Sequence, residues 1–186
     1  MSTAASFALE QYERMVEAGA FDGRLQQRVE FLRGEIRQMN PIGSWHAQVL
    51  GDLTDWSYEV APRSQVAIRV QTTLRIPASN SAPEPDLLWV KRRDYSRQHP
   101  EPKDVLLLIE VAESSLHEDR GEKRDLYAEA LIAEYWIVNL VDRTIEIYRQ
   151  PDGRLFQECR VLGIGDIATP LSLPQVSLPV ARVFVA

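Results

Sequence analysis

Five consecutive aliphatic residues, Val105-Leu106-Leu107-Leu108-Ile109, run straight into an acid, Glu110. An apolar run without alternation matches a strand covered on both faces, and this one is far too short to cross a bilayer. The chain must therefore set residues 104–111 inside a sheet with layers on either side. By strand alternation Glu110 shares a face with Leu106, Leu108 and Ala112. An ionised carboxylate in such company costs several kcal/mol unless it is paired or binds a metal. The alternative is a strand-end glutamate that already reaches water, and the strand alone weighs the two readings equally.

The segments around this strand supply its layers. Residues 6–18 carry Leu9, Tyr12, Met15 and Val16 at helical spacing. Two short runs, 28–32 and 35–39, flank Arg33-Gly34 and predict a hairpin. Ser44 is placed to cap a helix whose apolar stripe is Trp45, Val49, Leu53, Trp56 and Val60. Residues 65–70 alternate, and Thr72, Leu74 and Ile76 continue the extended chain. Pro83-Glu84-Pro85 precedes a strand over 86–90. A helix is predicted over 119–133, then strands at 134–140, 144–150 and 154–160 and an apolar tail over 168–186. The four tryptophans, Trp45, Trp56, Trp89 and Trp136, read as core packing.

The expected class is α/β, a central mixed β-sheet flanked by a few helices. At 186 residues the chain suits one domain. Residues 1–27 would form an N-terminal helical segment, 28–150 the core, and 151–186 the C-terminal strands and tail.

Charge and cysteine usage narrow the function. A net charge of −6 argues against a non-specific nucleic-acid binder, yet leaves room for an acidic pocket completed by a cation. The single cysteine, Cys159, excludes an intrachain disulfide and a cysteine-built zinc site, and suits a reducing compartment. No basic leader precedes Glu10 and Glu13, so a cytoplasmic protein without membrane association is expected. His46, His99 and His117 lack metal-ligand spacing. No Gly-x-Ser-x-Gly elbow, phosphate-cradling glycine loop, helix-turn-helix or zinc finger is present.

Asp86 opens the strand before the apolar run. Alone it is a polar residue at a strand start. With Glu110 it lies on consecutive strands joined by one loop, so the two carboxylates are expected side by side. Such a pair suits magnesium, which takes oxygen ligands and uses only one or two protein carboxylates. Lys123 is one of only three lysines among 21 basic residues. With Leu126, Tyr127 and Ala130 it forms the apolar stripe of its helix. Either its stem snorkels along the core or its ammonium points at the carboxylate pair. Periodicity alone leans to the former.

A carboxylate pair followed by a lysine resembles the PD-(D/E)XK nuclease superfamily. The chain is most similar to the Uma-two branch, a family of restriction-endonuclease-like proteins. The likeness spans residues 28–150 and rests on ordered motifs. These are Val29-Glu30-Phe31-Leu32-Arg33-Gly34-Glu35-Ile36, His46, Pro85-Asp86 and Leu108-Ile109-Glu110-Val111-Ala112. Gly121-Glu122-Lys123, Leu126-Tyr127-Ala128 and Glu134-Tyr135-Trp136-Ile137-Val138 complete the series.

The resemblance implies that Asp86 and Glu110 ligate the metal, with the Val111 carbonyl as a third ligand. The superfamily lysine position, two residues after Glu110, is Ala112 here; in this branch the lysine falls on the following helix, as Lys123. Glu35, just after the hairpin glycine, is the expected additional acid, with Glu30 as its competitor; an exposed hairpin carboxylate is the plain alternative for both. His46 would support a carboxylate or touch phosphate, or simply bond a turn. Lys91, Arg92 and Arg93, with Arg97 beyond, are either a solvated loop or a grip on the phosphodiester backbone. The implied activity is a magnesium- or manganese-dependent endonuclease acting on DNA, as a homodimer because double-strand cleavage needs two sites. The rivals are a catalytically degenerate binding or structural module and a hydrolase of smaller phosphodiesters.

Overall fold

The computed structural model describes residues 5–22 and 28–184; positions 1–4, 23–27 and 185–186 of the expected N-terminal segment and tail lie outside that range. Leu9 and Tyr12 bury one face of α1 (Leu9–Glu17). The hairpin is β1 (Val29–Leu32) and β2 (Glu35–Gln38). Its turn residues Arg33 and Gly34 take positive φ, 49° and 87°, as a two-residue hairpin turn requires. A Cβ at Gly34 would also stand 3.2 Å from the Phe7 carbonyl, so the positive φ and this close approach together favour glycine. In α2 (Ser44–Val60), Gly43 rather than Ser44 takes the N-cap position. Val49, Leu50, Leu53 and Trp56 are buried, whereas Trp45 is 37% exposed and not part of the core. It sits one turn before the helix meets the sheet, and the Arg143 guanidinium covers its ring at 5.8 Å.

The next strands are β3 (Val66–Val70), β4 (Leu87–Lys91) and β5 (Val105–Ala112). After them come α3 (Leu116–Glu118), a π-helical turn over Asp119–Lys123, and α4 (Arg124–Glu129). The single long helix expected over 119–133 is thus broken. Gly121 leaves helical geometry at φ −108° and ψ −105°, and Leu131 turns the chain out of the helix at φ 57°. Strands β6 (Glu134–Asn139), β7 (Thr144–Pro151) and β8 (Phe156–Leu162) follow.

Six strands form one mixed sheet in the order β3-β4-β5-β6-β7-β8. Only β5 and β6 run parallel, and their crossover is the segment holding α3, the π turn and α4. Both faces of β5 are covered, as its unbroken apolar run required. One face packs against α2, where Trp56 stacks on Trp89 and Trp136 at 5.1 and 6.2 Å. The other packs against α4 through Leu108, Leu126, Tyr127, Tyr135 and Ile137. A bulge pairs Trp89 with Leu107 but Val90 with Val105. Leu106 therefore turns toward the α2 side and does not share the face of Glu110.

The tail returns along the α2 face. There β9 (Ile167–Ala168) pairs with β10 (Leu178–Pro179), and α5 (Ala181–Phe184) packs near α2. Glu134, fully buried, ties this tail to the sheet: its carboxylate accepts from Arg149 at 2.6 Å, Trp136 Nε1 at 2.9 Å and the Leu171 N–H at 2.6 Å. Among the described residues no helix is long and apolar enough to cross a membrane. Arg149→Met strands the Glu134 charge in the interior and should cost ~3–5 kcal/mol. The check is a lower urea midpoint at unchanged slope.

Candidate active site

Asp86 stands immediately before β4, and the antiparallel pairing of Leu87 with Ile109 brings it beside Glu110. Each acid is held by the other's strand: the Asp86 N–H donates to Glu110 Oε2 at 3.1 Å, and the Val111 N–H donates to Asp86 Oδ2 at 2.9 Å. Asp86 Oδ1 accepts from the Gln71 amide at 3.1 Å and lies 3.2 Å from His46 Nε2, on the first turn of α2. Burial acts to raise the Asp86 pKa, but His46, the Val111 N–H and Gln71 together hold it below the usual carboxylate value.

Lys123 reaches this pair from the π turn. Its ammonium is 3.3 Å from Glu110 Oε1, 3.3 Å from Glu30 Oε2 and 3.8 Å from Asp119 Oδ1. Tyr127, one turn on, donates its hydroxyl to Glu110 Oε1 at 2.9 Å. Burial opposes the lysine's charge, yet Glu110, Glu30, Asp119 and Asp86 outweigh it and keep the ammonium protonated. Burial first, and then repulsion among the carboxylates, pushes Glu110 up to about 8 despite the pull of Lys123. Asp119 rises to about 6, again chiefly through burial. Burial likewise drives the Tyr127 pKa well above its ordinary value, so it stays a donor.

Three carboxylates thus surround one ammonium, and Asp86 adds its charge from farther off. Glu30 Oε2 and Asp119 Oδ1 are buried and receive no hydrogen bond. A surplus of hard oxygen donors in a sequestered site is chemistry that a small divalent cation relieves. Among the described residues no three carboxylate, imidazole or thiol side chains stand close enough to form a closed metal cage. The donor set fits an ion held by two carboxylates and completed by water, the habit of magnesium. A cavity of about 340 Å³ opens onto Glu30, His46, Asp86, Glu110, Asp119 and Lys123. Arg28 and Arg37 stand on its rim, paired to Glu84 at 3.1 Å and Glu122 at 2.6 Å.

The structure brings together Asp86, Glu110, Lys123, Val111, His46 and Glu30. It reverses the expected order of the two hairpin acids: Glu30 faces the lysine, while Glu35 is turned outward, half exposed, and bonds Arg37 at 3.0 Å. Lys91, Arg92 and Arg93 lie at the far end of β4 from Asp86, ~16 Å away at ~3.3 Å per residue. There Lys91 Nζ donates to the Lys103 carbonyl at 2.7 Å and Arg93 pairs with Asp104. None of the three lines the cavity. Sequence reasoning missed Asp119, Tyr127 and Gln71 as members of the site. The first two were visible at i−4 and i+4 from Lys123. Gln71 carried no such signal, because a positive φ of 48° at the end of β3 aims it inward.

Known proteins match this chain at two levels, its fold and its sequence family. The crystal structure of a "putative nuclease belonging to DUF820 from Anabaena variabilis ATCC 29413" superposes on the chain with a TM-score of 0.72. The two are 14% identical, and the match covers 96% of this chain and 97% of that one, so they share the mixed-sheet fold. Comparison with curated proteins yields no match. A family profile matches residues 9–181, and the chain belongs to that family, Uma2, described as "Putative restriction endonuclease".

Proposed function

We propose that the protein is a magnesium- or manganese-dependent endonuclease that hydrolyses DNA phosphodiester bonds, acting in the cytoplasm as a homodimer. The observation that carries this reading is the buried cluster in which Lys123 meets Glu110, Glu30 and Asp119 beside Asp86, with more carboxylates than cations. Asp86 and Glu110 would hold the ion, with the Val111 carbonyl beside them. A divalent ion supplies polarisation of the phosphoryl oxygen and a bound water of lowered pKa.

The chain's own groups do the rest. Backbone N–H donors fix both ligating carboxylates before any substrate arrives. Lys123, kept charged, orients the attacking water and offsets charge growing on the phosphate. Glu30 holds the ammonium from the hairpin. His46 steadies Asp86, and Tyr127 steadies Glu110. The paired state of Arg28 and Arg37 favours, as the second reading, a binding or structural module that has lost turnover.

Plasmid nicking separates the two readings. With magnesium or manganese the protein should nick supercoiled DNA, EDTA should stop it, and Asp86→Ala or Glu110→Ala should remove it. Lys123→Gln should slow cleavage roughly 10²–10⁴-fold. Folded protein that leaves plasmid intact with both ions would support the second reading. Tyr127→Phe keeps the ring but frees Glu110, and a fall of about 10–100-fold in rate at unchanged circular dichroism is expected.

The site also links stability to pH. Glu110 rises from 4.5 to about 8 and Asp119 from 3.8 to about 6, so the folded state binds more protons than the unfolded chain between these values. Stability from these groups is therefore full at low pH and declines as pH rises through this window. The metal-free melting temperature should fall between pH 5 and 8, and added magnesium should raise it more at pH 8 than at pH 5. An equal effect at both would place the cation elsewhere.

A further inference from the structure

We propose that two copies of the chain pair through β8, antiparallel about a two-fold axis at Cys159, joining two six-stranded sheets into one. The strand ends the sheet order, and among the described residues no strand or backbone hydrogen bond meets its outer side. An open edge of seven residues is a template for another strand. Val161 on it is 61% exposed, and Cys159 and Arg160 are also exposed.

The sequence of the strand selects a second copy of itself as the occupant. Cys159 is the midpoint of Phe156–Leu162. Pairing about it sets Glu158 opposite the partner's Arg160 and Arg160 opposite the partner's Glu158. Gln157 meets the partner's Val161. Directly opposed residues share a face in an antiparallel pair, and opposite charges there are favourable. Glu158 and Arg160 already share a face, with their charged groups 3.8 Å apart.

The neighbouring two-fold registers are excluded by the same charges. Centring on Glu158 sets that carboxylate against its own copy, and centring on Arg160 opposes two guanidiniums. Like charges directly opposite destabilise a sheet, so charge favours the Cys159 register over both of its neighbours. No residue of the acidic cavity takes part, so this surface stands independently of the nuclease reading.

The test is the mass of the full chain in solution at micromolar concentration, by light scattering. Wild type should show the mass of two chains, Glu158→Arg and Arg160→Glu should each show one, and the double exchange E158R/R160E should return two. Circular dichroism matching wild type confirms that each variant is folded. Because the chain has one cysteine, a short bismaleimide should join wild-type chains through Cys159, a readout that needs no variant. A one-chain mass for wild type, two chains in either folded single reversal, a folded double exchange that stays single, or no covalent dimer with the cross-linker would overturn the proposal.

Discussion

A buried ammonium is the constraint on which the rest of the structure depends. The Lys123 side chain is 7% exposed, and such a charge is tolerated only where opposite charges are delivered to it. Delivery takes every main element on that side of the sheet. β1 brings Glu30, β5 brings Glu110, the π turn brings Asp119 and the lysine itself, and α4 brings Tyr127 to hold Glu110. The loop into β4 adds Asp86, locked to β5 through reciprocal backbone bonds. Removing one partner of a buried pair costs ~3–5 kcal/mol, a large share of the ~5–15 kcal/mol that stabilises a typical protein. The hairpin, the kinked crossover and the strand ends are therefore fixed by one shared electrostatic need.

The parts of this arrangement that could be read from sequence are those set by local periodicity. Glu110 was conspicuous because five aliphatic residues precede it, and Lys123 because it interrupts an apolar stripe. Asp86 followed from the order of strands. What eluded the reading depends on tertiary docking. Short hairpin strands do not reveal which acid will face the sheet, so the sequence alone does not separate Glu30, which meets Lys123, from Glu35, which turns outward. The π turn was hidden because Gly121 is tolerable in a helix until packing makes it a kink.

The position of Lys91, Arg92 and Arg93 is more instructive, because the topology already implies it. Asp86 directly precedes one strand and Glu110 nearly ends the next. If the two acids meet, the strands run antiparallel, and the loop joining them must leave from the opposite end of the sheet. Closeness in sequence to both acids thus implied distance in space. Trp45 shows a different limit: a helical stripe says which side is apolar, not where along the helix the sheet begins.

Charge plays opposite parts at the centre and at the edge of the sheet. Around Lys123, water is excluded, and electrostatic energies are large enough to fix the fold and move protonation across several pH units. Along β8 the charges of Glu158 and Arg160 remain in water, where such pairs contribute ~0–1 kcal/mol and are weakened by salt. They cannot supply the affinity of a dimer. That must come from the backbone ladder and from covering Val161, Leu162 and Phe156. What exposed charges can do is discriminate, since either neighbouring register replaces two attractions with one repulsion. The same residue types thus serve stability where they are buried and specificity where they are exposed.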